Sequence, residues 1–279
     1  MKNAVEELLN VEDEDKRIDV FHPRPGKTGV SSLYKYFGSI KHISDLFESC
    51  NIHHSVPESF NDPFECKAVI DRNDPHTAAD IRRHLIKLCR EAGNTRKESE
   101  NLVSQFMKHE NFVDVELLHG LNATYGEVKI SCFTTDVKNL LMWSHYASSH
   151  SGFCVEFSTD YFPFNFAFKV RYTNRYTAVK YPLRGTYDRL RVALEKSDHW
   201  SYENQYRTLI VPGLNSVPTD GRVYNFEARA IKAIYLGVNI SQESKGEILE
   251  MICSNNIKCE VYQAVLQKHE YGLEFIKIY

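Results

Sequence analysis

The chain has 279 residues, 42% of them hydrophobic and 25% charged, with a formal net charge of -3. That length buries a sizeable core in one large domain or two small ones, and the near-neutral balance argues against a generally basic nucleic-acid binder without excluding a local basic groove. No run of eighteen apolar residues occurs, so no membrane span is expected, and the mixed-charge stretch from Met1 to Arg17 lacks the apolar core of a signal peptide.

Residues 1–30 read as an irregular, partly helical lead-in, punctuated by His22-Pro23-Arg24-Pro25-Gly26. Leu33-Tyr34-Lys35-Tyr36-Phe37 alternates aromatics with a lone lysine, as a half-buried strand does, and Ile40 to Cys50 carries apolar residues at helical spacing. A short strand is expected at Ile52 to Ser55. From Asp74 to about Leu121 the composition turns charged, and the spacing predicts helices over His76–Ala92 and Lys97–Met107, with a third over Phe112–Leu121. This helical insertion (about 74–121) reads as a lid, a partner surface or a solvated face.

The run Ile130 to Thr134, the cluster Trp143-Ser144-His145-Tyr146-Ala147 and the run Phe153 to Phe157 read as strand, short helix and strand. Phe162 to Tyr181 reads as a strand or hairpin with a cationic face, and Thr186 to Lys196 as a short helix. Trp200 to Val211 begins polar-aromatic and ends as a strand, and Ala228 to Leu236 reads as another strand. A helix capped by Ser241 runs to Ile252, and two closing strands follow from Cys259 and Leu273. The expected architecture is α+β: one mixed domain over 31–279, with a central, split β-sheet and the helical insertion.

Three constellations could carry chemistry. Asn61-Asp62-Pro63-Phe64-Glu65 reads either as a self-bonded turn or as a turn aiming Asn61, Asp62 or Glu65 into a pocket. Trp143 and Tyr146 share a helical face, as core aromatics or as a binding wall, and His145 and His150 are proton-transfer candidates or surface imidazoles. In Tyr202-Glu203-Asn204-Gln205-Tyr206-Arg207, strand alternation would put Glu203, Gln205 and Arg207 on one face, as a polar site or an exposed ion pair. The seven cysteines are scattered and never spaced C-x-x-C, so buried free thiols, a reducing cytoplasm and no metal site are expected. No glycine-rich phosphate loop, G-x-S-x-G or H-E-x-x-H is present.

In this order, Leu33-Tyr34-Lys35-Tyr36, Phe60 to Glu65, Cys132-Phe133-Thr134 with Met142 to Ala147, and Trp200 to Glu203 resemble a mainly prokaryotic family catalogued as domain of unknown function 2971. The resemblance runs from about Leu33 to Tyr279. The family's third block usually reads W-x-x-E-x-E-x-R. Here Glu203 and Arg207 are kept and Gln205 replaces the second carboxylate.

More distantly, the order of elements is similar to that of ADP-ribosyltransferases, including DarT-like toxins and poly-ADP-ribose polymerases. That likeness implies NAD as substrate and Glu203 as the carboxylate that stabilises oxocarbenium charge. It further implies Tyr146 and His145 as its catalytic neighbours. Tyr34, Lys35, Tyr36, Asn61, Asp62, Phe133, Thr134, Trp143 and Arg207 would form the NAD site, with pyrophosphate on Lys35 and a Lys169/Arg171 row. It also implies a cytoplasmic toxin or anti-phage effector with a nucleic-acid or protein acceptor and an antitoxin or regulatory partner. Two other readings stay open: an enzyme acting on nucleic acid or a nucleotide without NAD, through His145, Glu203 and Arg207, and a non-catalytic ligand sensor.

Overall fold

The structure is a computed structural model and describes residues 30–70, 75–109, 118, 120–121, 125–179, 190–211 and 221–279. The expected lead-in, most of the expected third helix and the first four residues of the expected helix from Thr186 lie outside these residues.

Strand β1 (Ser32–Phe37) leads through a 3-10 turn into helix α1 (Ile43–Phe47), and β2 (Asn51–His53) and β3 (Val69–Ile70) follow. The charged segment then forms helices α2 (Pro75–Glu91) and α3 (Arg96–Phe106), close to the predicted spans. Next come β4 (Lys129–Phe133), α4 (Leu140–Tyr146), β5 (Phe153–Ser158) and the short strands β6 (Phe168–Lys169), β7 (Arg171–Thr173), β8 (Ala178–Val179) and β9 (Glu195–Ser197). A 3-10 turn (Asp198–Glu203) precedes β10 (Tyr206–Ile210). The chain closes through β11 (Val223–Asn225), β12 (Ile231–Leu236), α5 (Gln242–Ser254), β13 (Glu260–Leu266) and β14 (Leu273–Lys277).

The principal sheet has the order β1-β5-β12-β13-β14, and a second has the order β4-β10-β6. Every residue of β5 is buried, because alternate side chains enter two cores. Phe153, Val155 and Phe157 meet α1, α5 and the second sheet, whereas Cys154 faces Tyr36, Met142 and Trp143. The parallel pair β12 and β13 is joined through α5, whose start is capped by Ser241 Oγ accepting from the Ser244 amide at 3.0 Å. The same rule starts α3: Thr95 and Glu98 cap reciprocally.

The two sheets meet where Tyr34 and Thr134 exchange both backbone hydrogen bonds, each 2.8 Å. This single bridge makes the β-structure split, and the mouth between the sheets opens beside it. Helix α4 ends in three successive left-handed residues, Ser148, Ser149 and His150 (φ 48, 54 and 68). The turn brings the Gly152 backbone against the Phe37 carbonyl, where a Cβ would collide.

Two local expectations need correction. Phe162 to Tyr181 is not one hairpin: β6 pairs with β10 and β7 with β9, so the segment crosses between sheets in short pieces. The expected helix from Thr186 ends at Leu194. Glu195–Ser197 is extended instead, held to β7 by the parallel ladder and by Arg171, whose guanidinium reaches Glu195 at 2.5 Å.

Among the described residues no helix is long and apolar enough to cross a membrane.

Candidate functional site

A cleft of about 390 Å³ opens between the sheets, lined by Tyr34, Lys35 and Tyr36 of β1, Cys132 and Phe133 of β4, Met142, His145 and Tyr146 of α4, and Asn61 from the Asn-Asp-Pro turn. Its remaining polar lining includes Glu65, Lys196 and Gln205. A volume of this order lies within the usual range for a small-ligand site.

The turn at Asn61 to Glu65 is both a structural device and an aiming device. Asp62 Oδ1 accepts from the Phe64 amide at 2.9 Å and its carbonyl accepts from the Glu65 amide at 3.3 Å, which closes the turn. Closure sends Asn61 toward the cleft and Glu65 inward. Likewise Asn139 caps α4 with Oδ1, accepting from the Leu141 and Met142 amides, while its Nδ2 donates to the Tyr202 carbonyl at 2.7 Å. This residue ties the helix bearing Tyr146 to the turn bearing Glu203.

Behind the cleft lies a buried network with balanced charge. Glu203, with no exposed surface, accepts from the Tyr146 hydroxyl at 2.6 Å on Oε1, and from Lys196 at 2.8 Å and Gln205 at 3.0 Å on Oε2. Lys196 also pairs with Glu65 at 2.9 Å. Glu65 pairs in turn with Arg207, which donates to Gln205 Oε1 and to the Ala193 carbonyl, both at 2.7 Å. Two carboxylates thus face two cations, the arrangement that makes burial of charge tolerable.

The polar row over Glu203, Gln205 and Arg207 therefore exists, but not as three strand positions. Glu203 ends a 3-10 turn, Asn204 is left-handed (φ 43), and only Arg207 lies within β10. The kink at Asn204 lets Gln205 reach back to the carboxylate.

Burial, with the Glu203 charge adding to it, pushes the Tyr146 phenol well above its ordinary range. Its proton therefore stays in place at neutral pH, directed at the carboxylate, while its oxygen accepts weakly from Asn61 Nδ2 at 3.4 Å. Burial also lowers the Lys35 ammonium from its ordinary value. That group touches one acceptor, the Cys132 carbonyl at 3.2 Å, and lies 5.2 Å over the Phe133 ring. Burial, reinforced by Glu156, pushes the Tyr34 phenol up to about 12. For Arg207, desolvation pulls the guanidinium down, but the Glu65 carboxylate outweighs it and holds the group above its usual value.

Of the residues singled out from sequence, Tyr34, Lys35, Tyr36, Asn61, Phe133, His145 and Tyr146 line the cleft together. Glu203 lies directly behind Tyr146. Five expectations are corrected. Trp143 has no exposed surface, donates to the Val137 carbonyl at 2.7 Å and packs edge-on to Tyr36, so it supports the wall from behind and offers no stacking face. Arg207 is equally buried and saturated by Glu65, Gln205 and Ala193. Thr134 is engaged in the inter-sheet bridge, and its hydroxyl accepts from the Asp136 amide at 3.2 Å. Asp62 is engaged in its own turn and faces a neighbouring cavity. The Lys169/Arg171 row lines no part of the cleft, and Arg171 is held by Glu195 and Thr177.

Lys196 and Asn139 were not legible as site residues. Lys196 fell in a segment with helical composition, and Asn139 carried only the ordinary signal of a helix cap. Among the described residues no group of three or more His, Cys, Asp or Glu side chains is placed to hold a metal ion.

Residues 142–208, from α4 through most of β10, match the family model described as "Protein of unknown function (DUF2971)". The match covers Tyr146, Lys196, Glu203 and Arg207 but not the β1 or Asn-Asp-Pro words, which lie ahead of it. No curated protein and no solved structure matches.

Proposed function

We propose that this chain cleaves the glycosidic bond of NAD in the inter-sheet cleft and transfers the ADP-ribosyl group to an acceptor. The observation that carries the reading is the pairing of Tyr146 with Glu203 at 2.6 Å, on the wall of a cavity that Lys35 also lines.

In this reading the bond from ribose C1′ to the nicotinamide nitrogen breaks, its electron pair leaves with neutral nicotinamide, and oxocarbenium charge develops at C1′. The Tyr146 oxygen, made electron-rich by donating its proton toward Glu203, faces that charge. When the acceptor nucleophile bonds to C1′, its proton passes to Tyr146 while the Tyr146 proton passes to Glu203. Tyr146 is then the catalytic residue that touches substrate, and Glu203 acts through it. The Lys35 ammonium has only one carbonyl partner and is suited to a phosphate oxygen. Tyr34 and Tyr36 supply ring surface at the same wall, and His145 stands exposed at the mouth.

A second reading is favoured by one observation: Glu203 has no exposed surface and three partners already. On that reading the cleft binds a nucleotide without turning it over, and the chain is a sensor.

Incubation with nicotinamide-labelled NAD separates the two. The transfer reading expects nicotinamide release, abolished in Tyr146→Phe and in Glu203→Gln. The sensor reading expects NAD to raise the melting temperature without release. If NAD neither binds nor is consumed, both fail.

A further inference from the structure

A second cavity, about 780 Å³, shares Asn61 and Lys196 with the cleft. Its walls combine two features that a folded surface ordinarily avoids. Phe64 is 66% exposed and Tyr176 is 48% exposed, and neither ring packs against another among the described residues. Large aromatics left in water within one concave wall mark a site that is covered in function.

The charge on this wall is more informative than the overall balance of -3. Both of its carboxylates are engaged. Asp62 accepts from the Phe64 amide, and Glu195 is held by Arg171 at 2.5 Å, Arg191 at 3.3 Å and the Thr177 hydroxyl at 2.8 Å. Lys67 and Arg175 are exposed, line the same cavity and make no ion pair among the described residues. The free charge of the cavity is therefore positive, and it shares the cavity lining with the exposed rings.

We propose that this cavity binds single-stranded nucleic acid, with bases stacked on Phe64 and Tyr176 and phosphates on Lys67 and Arg175. Exposed rings together with unpaired cations in one cavity are the chemistry that recognises an unpaired base on a charged backbone. An acidic peptide would use the cations and leave the rings in water. A duplex would present phosphates but keep its bases stacked on one another. Because Asn61 and Lys196 border both spaces, a base held here lies next to the cleft. The further step, that the bound strand is the acceptor, rests on the transfer reading above, whereas the binding does not.

The test uses the full chain and fluorescence anisotropy of labelled single-stranded DNA and RNA of about 12 nucleotides, a length within the usual footprint. Measurements run from roughly 50 to 200 mM salt. Saturable binding is expected, tighter than for the duplex or polyglutamate. The Lys67→Glu/Arg175→Glu variant should lose affinity at least about tenfold and flatten the log-log salt slope by about 1.4, two contacts at about 0.7 each. The Phe64→Ala/Tyr176→Ala variant should lose about tenfold or more with its salt slope unchanged. All four side chains are exposed, so the fold should survive, as circular dichroism checks. No binding at about 100 µM, equal binding of duplex or polyglutamate, or wild-type affinity in both variants overturns the proposal. Nicotinamide release with no oligonucleotide binding refutes this site alone, and oligonucleotide binding without NAD cleavage supports it while refuting the transfer reading.

Discussion

Replacing Lys196 with methionine removes one cation from between two buried carboxylates. Lys196 is 4% exposed and lies 2.9 Å from Glu65 and 2.8 Å from Glu203. Methionine fills much the same volume, so the change is chiefly electrical: the network passes from balanced to one net negative charge. Removing one partner from a buried pair costs about 3–5 kcal/mol, because the remaining charge is left uncompensated. At about 2–4 °C per kcal/mol for a chain of this size class, the melting temperature should fall by roughly 6–20 °C. Adding Glu203→Gln restores the balance, leaving Glu65 with Arg207, and should recover roughly 1–3 kcal/mol of the loss as coupling energy. Urea unfolding of wild type, both single variants and the double variant measures this directly. If Lys196→Met costs under about 1 kcal/mol, or if the second change simply adds to the first, the network is not the coupled unit described here.

Other outcomes follow from the same geometry. His54 has no exposed surface, and burial chiefly lowers its imidazole to about 3. Below its ordinary value near 6.5 the unfolded chain takes up a proton that the folded chain refuses, so stability falls as pH drops from about 6.5 toward 3, by about 2 kcal/mol between pH 7 and 5. A His54→Gln variant should show a flatter pH profile of urea midpoints, and an equal slope would contradict this. Lys35→Met should leave the urea midpoint unchanged or raised, since the desolvated ammonium has a single carbonyl partner, while weakening anion and nucleotide binding in calorimetry. Gly152→Ala should cost about 3 kcal/mol in the same unfolding assay, because its Cβ falls on the Phe37 carbonyl oxygen, and a cost near zero would show that β1 yields there.

The fold was largely legible where local chemistry and periodicity agree. The alternation of Leu33 to Phe37, the helical faces of 75–106, the Ser241 cap and the closing strands all appear close to where pattern places them. The misreadings share a cause in tertiary pairing. Glu195–Ser197 has helix-compatible residues but is drawn into a parallel ladder with β7, and the aromatic run from Phe162 divides because its halves pair with different strands. At the site, Tyr146, Lys35 and Asn61 were recognisable because polar and aromatic residues stand at unusual density. Trp143 was overvalued for the same reason, since composition cannot distinguish a ring that lines a cleft from one that backs it. Lys196 carried no local signal at all. Its meaning comes from Glu65, far away in sequence, and from Glu203, brought back beside it by the 3-10 turn Asp198–Glu203.

The most direct measurement is nicotinamide release from labelled NAD by wild type, Tyr146→Phe and Glu203→Gln, each first shown to be folded. Release by wild type that is lost in both variants, with NAD binding kept in Tyr146→Phe, is the predicted result. Undiminished release by either variant, or NAD bound by wild type and never cleaved, would contradict the assignment of chemistry to the Tyr146–Glu203 pair.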